Sequence, residues 1–283
     1  MKIQAFFIYL FIYDMKKLIS YCTTCCNRLW QLALTLPKNL KNLSDDEELV
    51  LVNYGSQDNL NRYIESSDLC KKFIIQKKLI YANVLNIDFY HSCKAKNLAH
   101  RLANGKYLVN LDGDNFNFNI KKNILKNKDK ETLYHFASMF DNKYNRFSLN
   151  NNYNKSYQDG TFGKIALTKR NFYKLGGYDE SFYPMGYQDW DLIIRSLEIN
   201  LKYMCIPLKF LTILNTKEEK IKNIEKKDYN FCNESNAKIS EENIKNKIYV
   251  VNTKNGWGEA EIILNFKEKI KLNPIFPNPI LSF

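Results

Sequence analysis

Four short, largely apolar runs divide the first 111 residues of this chain: Leu18 to Cys22, Leu49 to Val52, Leu79 to Val84 and Tyr107 to Leu111. Between them lie segments of helical period. Asn27 to Leu36 carries Leu29, Trp30, Leu32 and Leu34 on helical spacing, with Pro37 as its stop. A second helix is expected from about Asp58, and a third over Lys94 to Ala103, closed by Asn104-Gly105. Strands with so little polar alternation are covered on both faces. The pattern predicts an α/β fold, a mostly parallel sheet flanked by helices. Ligands of such sheets sit at the carboxyl ends of the strands. The polar clusters Thr23-Thr24, Asn53 to Asp58 and Asp112 to Asp114 all fall there.

The rest of the chain is less regular. Residues 116 to 156 are rich in Asn and Lys and show no clean period. "DGTFGKIALTKRNFYKLGGYDESF" predicts a strand, a helix opening near Thr168 and a stop at Gly176-Gly177. "YQDWDLIIRSLEI" predicts another helix, with Asp189 or Asp191 near its start. Residues 216–247 alternate Lys, Glu and Asn, which predicts an exposed helix or a mobile insertion. "IYVVN" reads as a strand, "NGWGEAE" as a loop, "IILNF" as a strand or helix, and Pro274, Pro277 and Pro279 mark an irregular tail. The expected organisation is an extension at 1–14, a main domain at 15–215, a charged insertion at 216–247 and a segment at 248–283 that packs back on the domain. "AFFIYLFIY", residues 5 to 13, is too short for a bilayer, which needs ~20 residues. It also lacks a small-residue cleavage site, so it reads as an upstream extension or a membrane-surface segment, and no export is expected.

Charge narrows the partners. The chain has 42 Lys and Arg against 30 Asp and Glu, a net charge of +12. Lys, Asn and Ile crowd the whole sequence and the basic residues form no single stripe, which reads first as compositional drift, then as a phosphorylated substrate or an anionic membrane face, and last as nucleic acid. The seven cysteines are an odd number without framework spacing, which points to a reducing, cytoplasmic setting, with peripheral contact at the inner membrane face as an allowed variant. Cys22, Cys25 and Cys26 contain a C-x-x-C that sits, as a redox pair would, between a strand and a helix; no second pair exists to complete a zinc site, and the neighbouring Thr23, Thr24, Asn27 and Arg28 suit ligand contact better than redox or metal chemistry. His91, His100 and His135 are scattered and suggest no ligand cluster.

Two acidic clusters carry the chemistry. "KYLVNLDGDNF" ends a strand in Asp112 and Asp114, one residue apart. Asp-Gly is an ordinary turn pair, but two carboxylates at a strand end also suit a hard divalent cation such as Mg2+ or Mn2+, which takes one or two carboxylates plus substrate phosphates. "GGYDESFYPMGYQDWDLIIR" adds Asp179, Glu180, Asp189 and Asp191 after a Gly-rich turn and an aromatic stretch. Asp179-Glu180 also fits a solvated turn, and Asp191 a helix cap.

Taken together, these passages resemble inverting GT-A glycosyltransferases of the family 2 type, with a galactosyltransferase-like second half. The resemblance spans about Lys17 to Ile199, with a weaker echo near Val250 to Phe266. "SYCTTCCNRLWQL" is similar to the first strand and nucleotide-binding turn, and "LVLVNYGSQDNL" to the second. "KAKNLAHRLANGKYLVNLDGDNF" matches the helix and strand that lead into D-x-D, and "GGYDESFYPMGYQDWDLIIR" the acceptor-side segment. The resemblance implies donor contacts from Thr23, Arg28, Asn53, Ser56, Asp58, Asn97 and Asp112. It implies a metal, Mn2+ or Mg2+, on Asp114 and Asp112. Asp189 is the implied catalytic base, and Gln188, Trp190 and Asp191 the implied acceptor contacts. The implied reaction is metal-assisted single displacement of a hexose or N-acetylhexosamine from a nucleotide-sugar, with UDP-sugar expected, to a glycan or lipid-linked glycan. Asn53 stands where the family often has Asp, Gln188 replaces the usual Glu, and no His follows His135.

Two rivals remain at this level. A sugar nucleotidyltransferase would show a Gly-rich phosphate loop after the first strand, and "TTCCNRLW" has no Gly. A basic nucleic-acid or membrane-surface binding module needs no strand-end acids. The segment "TKNGWGEAE" has two readings. Trp257 either plugs the core, or Lys254 and Trp257 belong to a lid that closes over the donor.

Overall fold

The computed structural model describes residues 17–136, 162–206 and 217–277. Its first half alternates as expected: β1 (Ile19–Cys25), α1 (Leu29–Lys41), β2 (Glu47–Asn53), α2 (Leu60–Ser66), α3 (Asp68–Ile75), β3 (Leu79–Val84), α4 (Ser92–Leu102) and β4 (Tyr107–Asn110). Then follow α5 (Ile120–Asn127), β5 (Thr132–His135), β6 (Ile165–Thr168), α6 (Lys169–Lys174), α7 (Gln188–Glu198) and β7 (Lys202–Cys205). Last come α8 (Lys217–Ile221), α9 (Tyr229–Lys245), β8 (Ala260–Leu264) and β9 (Glu268–Leu272).

One sheet joins the strands in the order β7-β5-β6-β4-β1-β2-β3-β8-β9. The centre, β3-β2-β1-β4, is parallel. Antiparallel pairs attach β6 to β4 on one side and the β8–β9 hairpin to β3 on the other. The register explains the apolar runs. Leu49 and Leu51 of β2 face one core, with Leu32, Leu36 and Leu40 of α1. Val50 and Val52 face the other, with Leu98 of α4, Phe172 of α6 and Leu192 of α7. A strand covered on both faces needs apolar residues at consecutive positions.

Four local expectations fail for physical reasons. Pro37 lies inside α1, which runs on to Lys41. A helix-interior Pro costs ~3 kcal/mol, but Leu36 and Leu40 are fully buried on either side of it. Burial of a Leu side chain is worth ~1.5–3 kcal/mol, so the two together offset the break. "IYVVN" forms no strand, because Val251 donates its N–H to Leu175 O at 3.2 Å, at the end of α6, instead of joining the sheet. Residues 229–245 are neither wholly exposed nor irregular: α9 buries Cys232, Asn236 and Ser240. The stretch after Phe116 contains α5 and β5, whose Ile120, Ile124 and Leu133 are buried despite the polar surroundings. Residues 1–14 lie outside the described residues, and no helix among those described is long and apolar enough to cross a membrane.

Trp257 is a core plug. It is fully buried, pairs with Ile275 through a β-bridge and meets Phe172 and Tyr173 edge-on at 5.7 and 4.9 Å. Gly256 and Gly258, with φ near +70°, turn the chain on either side of it. Trp257→Ala should therefore destabilise the protein by ~3–5 kcal/mol in urea denaturation. Near-normal stability would return Trp257 to the lid reading.

Candidate active site

Helix α1 contains the clue to how the site is held. Gln31, Thr35 and Asn39 are spaced four apart, so they form one stripe, and all three are buried. Thr35 Oγ1 donates to Gly113 O at 2.6 Å. Asn39 Nδ2 donates to Asn115 O at 2.9 Å, and its Oδ1 accepts from Asn117 N at 3.0 Å. Asn115 N closes the turn on Asp112 O at 2.9 Å. The polar stripe thus pins the D-x-D turn, at the carboxyl end of β4, against α1.

Three carboxylates reach one cavity of about 450 Å³. Asp112 is about one-third exposed. Asp114 is buried, and its Oδ1 accepts from Asn115 Nδ2 at 2.5 Å. Asp189, in the first turn of α7, is largely buried. Gly163 makes the approach of Asp112 and Asp189 feasible: a Cβ there would stand 2.6 Å from Asp112 Oδ2 and 3.3 Å from Asp189 Oδ2. Lys96, buried on α4, neutralises part of this charge. Its ammonium donates to Asp189 Oδ1 and Oδ2 at 2.8 and 3.1 Å and lies 3.6 Å from Asp112 Oδ1.

The environment sets the proton affinities. Burial raises the pKa of Asp189 above the ordinary aspartate value; Lys96 opposes the rise and Asp112 adds to it. Burial works against the Lys96 charge, but Asp112 and Asp189 outweigh it and hold its pKa well above the usual lysine value. Burial also pulls Lys164 down to about 7, against the pull of Asp114 and Asp112. Burial pushes the Cys25 and Cys26 thiols up to about 12 and about 11, so neither is a ready thiolate.

The cavity gathers some of the sequence-derived candidates and not others. Arg28, Asp112, Asp114, Gln188, Asp189 and Trp190 line it. Ser56 and Asp58 sit beside it as braces: Ser56 Oγ accepts from Asn27 N at 3.0 Å, and Asp58 Oδ2 accepts from Leu29 N, at the start of α1, at 2.6 Å. Asn53 is buried and shapes the second turn, its Oδ1 accepting from Ser56 N at 2.9 Å. Thr23 is buried within β1 and does not line the cavity.

Asn97 and Asp191 have other partners. Asn97 exchanges hydrogen bonds of 2.8 Å with both backbone groups of Tyr178 and so anchors the Gly176-Gly177 turn. Asp191 is fully buried. Its Oδ2 pairs with Arg195 at 2.7 Å and its Oδ1 accepts from Ser240 at 2.9 Å, tying α7 to α9.

Sequence reading missed Lys96, Gly163 and Asn223. Asn223 accepts from Asn27 Nδ2 at 2.8 Å and donates to Cys26 O at 3.0 Å, fastening the chain after α8 over the first turn. Nothing in sequence spacing links residues 27 and 223. The polar i, i+4, i+8 stripe of α1, by contrast, was a readable signal.

A divalent cation fits this donor set in part. Among the described residues no group of three or more His, Cys, Asp or Glu side chains is placed to hold a metal ion together. Two carboxylates on one turn match a cation that completes its shell from substrate phosphates and water.

No family model matches this chain, and no curated protein matches it. Solved structures do. S. aureus TarS 1-349 superposes with a TM-score of 0.50 at 13% identity, over 72% of this chain and 62% of that one. The mannosyltransferase PcManGT from Pyrobaculum calidifontis, in complex with GDP-Man and Mn2+, gives 0.50 at 13% identity, over 69% and 56%. GalNAc-T7 with UDP, GalNAc and Mn2+ gives 0.52 at 14% identity, over 69% and 43%. The chain spans less than two thirds of the length of each. The shared architecture is the GT-A glycosyltransferase fold.

Gly163→Ala tests the site geometry. Its methyl group would push Asp112 and Asp189 apart, and a ~1 Å misplacement of reacting groups can cost ~10²-fold in rate. We expect turnover to fall on that scale while the melting temperature changes little. Full turnover would show that the two carboxylates do not work together.

Proposed function

We propose that this protein is an inverting glycosyltransferase of the family 2 type that moves a hexose or N-acetylhexosamine from a nucleotide-sugar, most simply a UDP-sugar, to a glycan or lipid-linked glycan. The observation that carries this reading is the meeting of the D-x-D turn and Asp189 in one cavity at the carboxyl ends of parallel strands. Other features support it. Asp58 Oδ1 is buried without a protein partner among the described residues, next to the first turn that Asp58 Oδ2 braces. Gln188 Oε1 is likewise buried without a partner, and its Nε2 donates to Asp189 Oδ2 at 3.2 Å. The amide therefore both steadies the base and offers an acceptor to a sugar hydroxyl. Trp190 and Phe162, with ring centroids 4.6 Å apart, add an apolar wall suited to a pyranose face.

In this mechanism Arg28 and Lys220, both lining the cavity, attract the diphosphate. Asp114 and Asp112 would hold Mn2+ or Mg2+, which when bound supplies positive charge to the departing diphosphate. Asp189 takes the proton from the acceptor hydroxyl as that oxygen attacks the anomeric carbon from the side opposite the diphosphate. One displacement inverts the configuration. The half-buried aromatic pair and the buried Gln188 amide limit water, which would otherwise compete as acceptor.

A screen of nucleotide-sugars, read as nucleoside diphosphate release with and without Mn2+, tests the reading. Metal-dependent release from at least one donor is expected, and Asp189→Asn should lower kcat by ~10²–10⁴-fold with donor affinity retained. Asp191→Asn should instead weaken the fold, since breaking a buried ion pair costs ~3–5 kcal/mol. Equal kinetic losses in the two variants, with equal stability, would displace Asp189 from its role. The acid limb of kcat should lie above the ordinary aspartate range, because the base must be ionised and burial raises its pKa. A limb below that range would assign the base elsewhere.

A further inference from the structure

The cavity's acids come from opposite ends of the chain's architecture. Asp112 follows a central strand, and Asp189 opens a helix that packs on the far core. One group touches both. Lys96 projects from α4, the helix between β3 and β4, and its side chain is 4% exposed, so water contributes little to holding its charge. Its contacts to Asp189 are two-fold, at 2.8 and 3.1 Å, whereas Asp112 is farther, at 3.6 Å. The Tyr178 ring lies 5.3 Å from the ammonium and covers it on another side. A carboxylate gripped at both oxygens cannot rotate freely about its terminal torsion. Gln188 Nε2, bound to Asp189 Oδ2, restrains the same plane from within α7.

We propose that Lys96 is the positioning residue of this site, holding the Asp189 carboxylate aimed so that it can receive the acceptor's proton. The role is distinct from donor binding, because the ammonium spends both of its short contacts on Asp189. It also gives the α4 helix a task beyond packing: α4 sets the distance between the D-x-D turn and the base. The proposal rests on the glycosyltransferase reading for its chemistry, but the clamp itself does not.

The test combines a stability cycle with kinetics on the full chain. Melting temperatures of wild type, Lys96→Met, Asp189→Asn and the double variant measure whether the two residues act as a pair. Each single change leaves a buried group uncompensated, so the double variant should lose no more than the worse single one. Lys96→Met should also lower kcat for donor hydrolysis by ~10²-fold, with calorimetric affinity for UDP and Mn2+ retained, and Lys96→Arg should recover part of that loss. Additive losses in melting temperature overturn the proposal whether or not the wild type turns over a donor. A fall in UDP affinity that matches the fall in kcat also overturns it, by making Lys96 a donor ligand. Non-additive melting together with a wild type inert toward every donor keeps the clamp and removes the glycosyltransferase reading instead.

Discussion

Like charges brought close in one cavity set the terms for this structure. Asp112, Asp114 and Asp189 all line it, with Asp114 and Asp189 largely buried, and a carboxylate pair in such a place raises its own proton affinity unless a cation stands between. The fold supplies that cation from α4 and supplies room through Gly163, where any Cβ would meet both the Asp112 and the Asp189 carboxylates. Much of the surrounding order serves these few contacts. The D-x-D turn is tied to α1 by Thr35 and Asn39, and α7 is tied to its neighbours by the Asp191–Arg195 pair, whose guanidinium also donates to Leu175 O and Gly177 O at 3.0 and 2.9 Å.

The two apolar cores explain why this arrangement holds. Each central strand gives alternate residues to opposite faces, so β1, β2 and β4 are fixed by helices on both sides and their carboxyl ends cannot shift independently. Loops on such a frame can carry polar and strained geometry. Asn27, Asn59 and Tyr187 adopt positive φ around the site, and the well-packed strands offset the strain.

How much of this was legible in the sequence follows the range of the interactions. The strands and the D-x-D turn were readable because their signals are local: apolar runs of strand length and two acids at a strand end. The place of Asp189, at a helix start lining the cavity, was readable because its motif is contiguous. Lys96 was not, since a lysine amid "KAKNLAH" looks solvated until α4 is seen to bury it against acids 16 and 93 residues away. The surroundings of Asp191 were hidden for the converse reason. An acid in the first turn of a helix beside Asp189 looks available, yet helical rotation carries it to the buried face where Arg195, four residues on, meets it. Asn97 was hidden the same way, its amide spent on both backbone groups of Tyr178 and on Glu180 Oε1. Pro37 shows the limit of breaker rules, which lose to burial when the flanking leucines are deep in the core.

The central claim is that the D-x-D turn and Asp189 face one metal–diphosphate substrate. A crystal structure of the protein grown with UDP and Mn2+, with anomalous data collected at the manganese edge, tests it most directly. One strong anomalous peak is expected within coordination distance of the Asp114 or Asp112 carboxylate, with the diphosphate on its other side and Asp189 facing the open end of the cavity. Manganese and UDP bound together at any other part of the fold, with this cavity vacant, would contradict it.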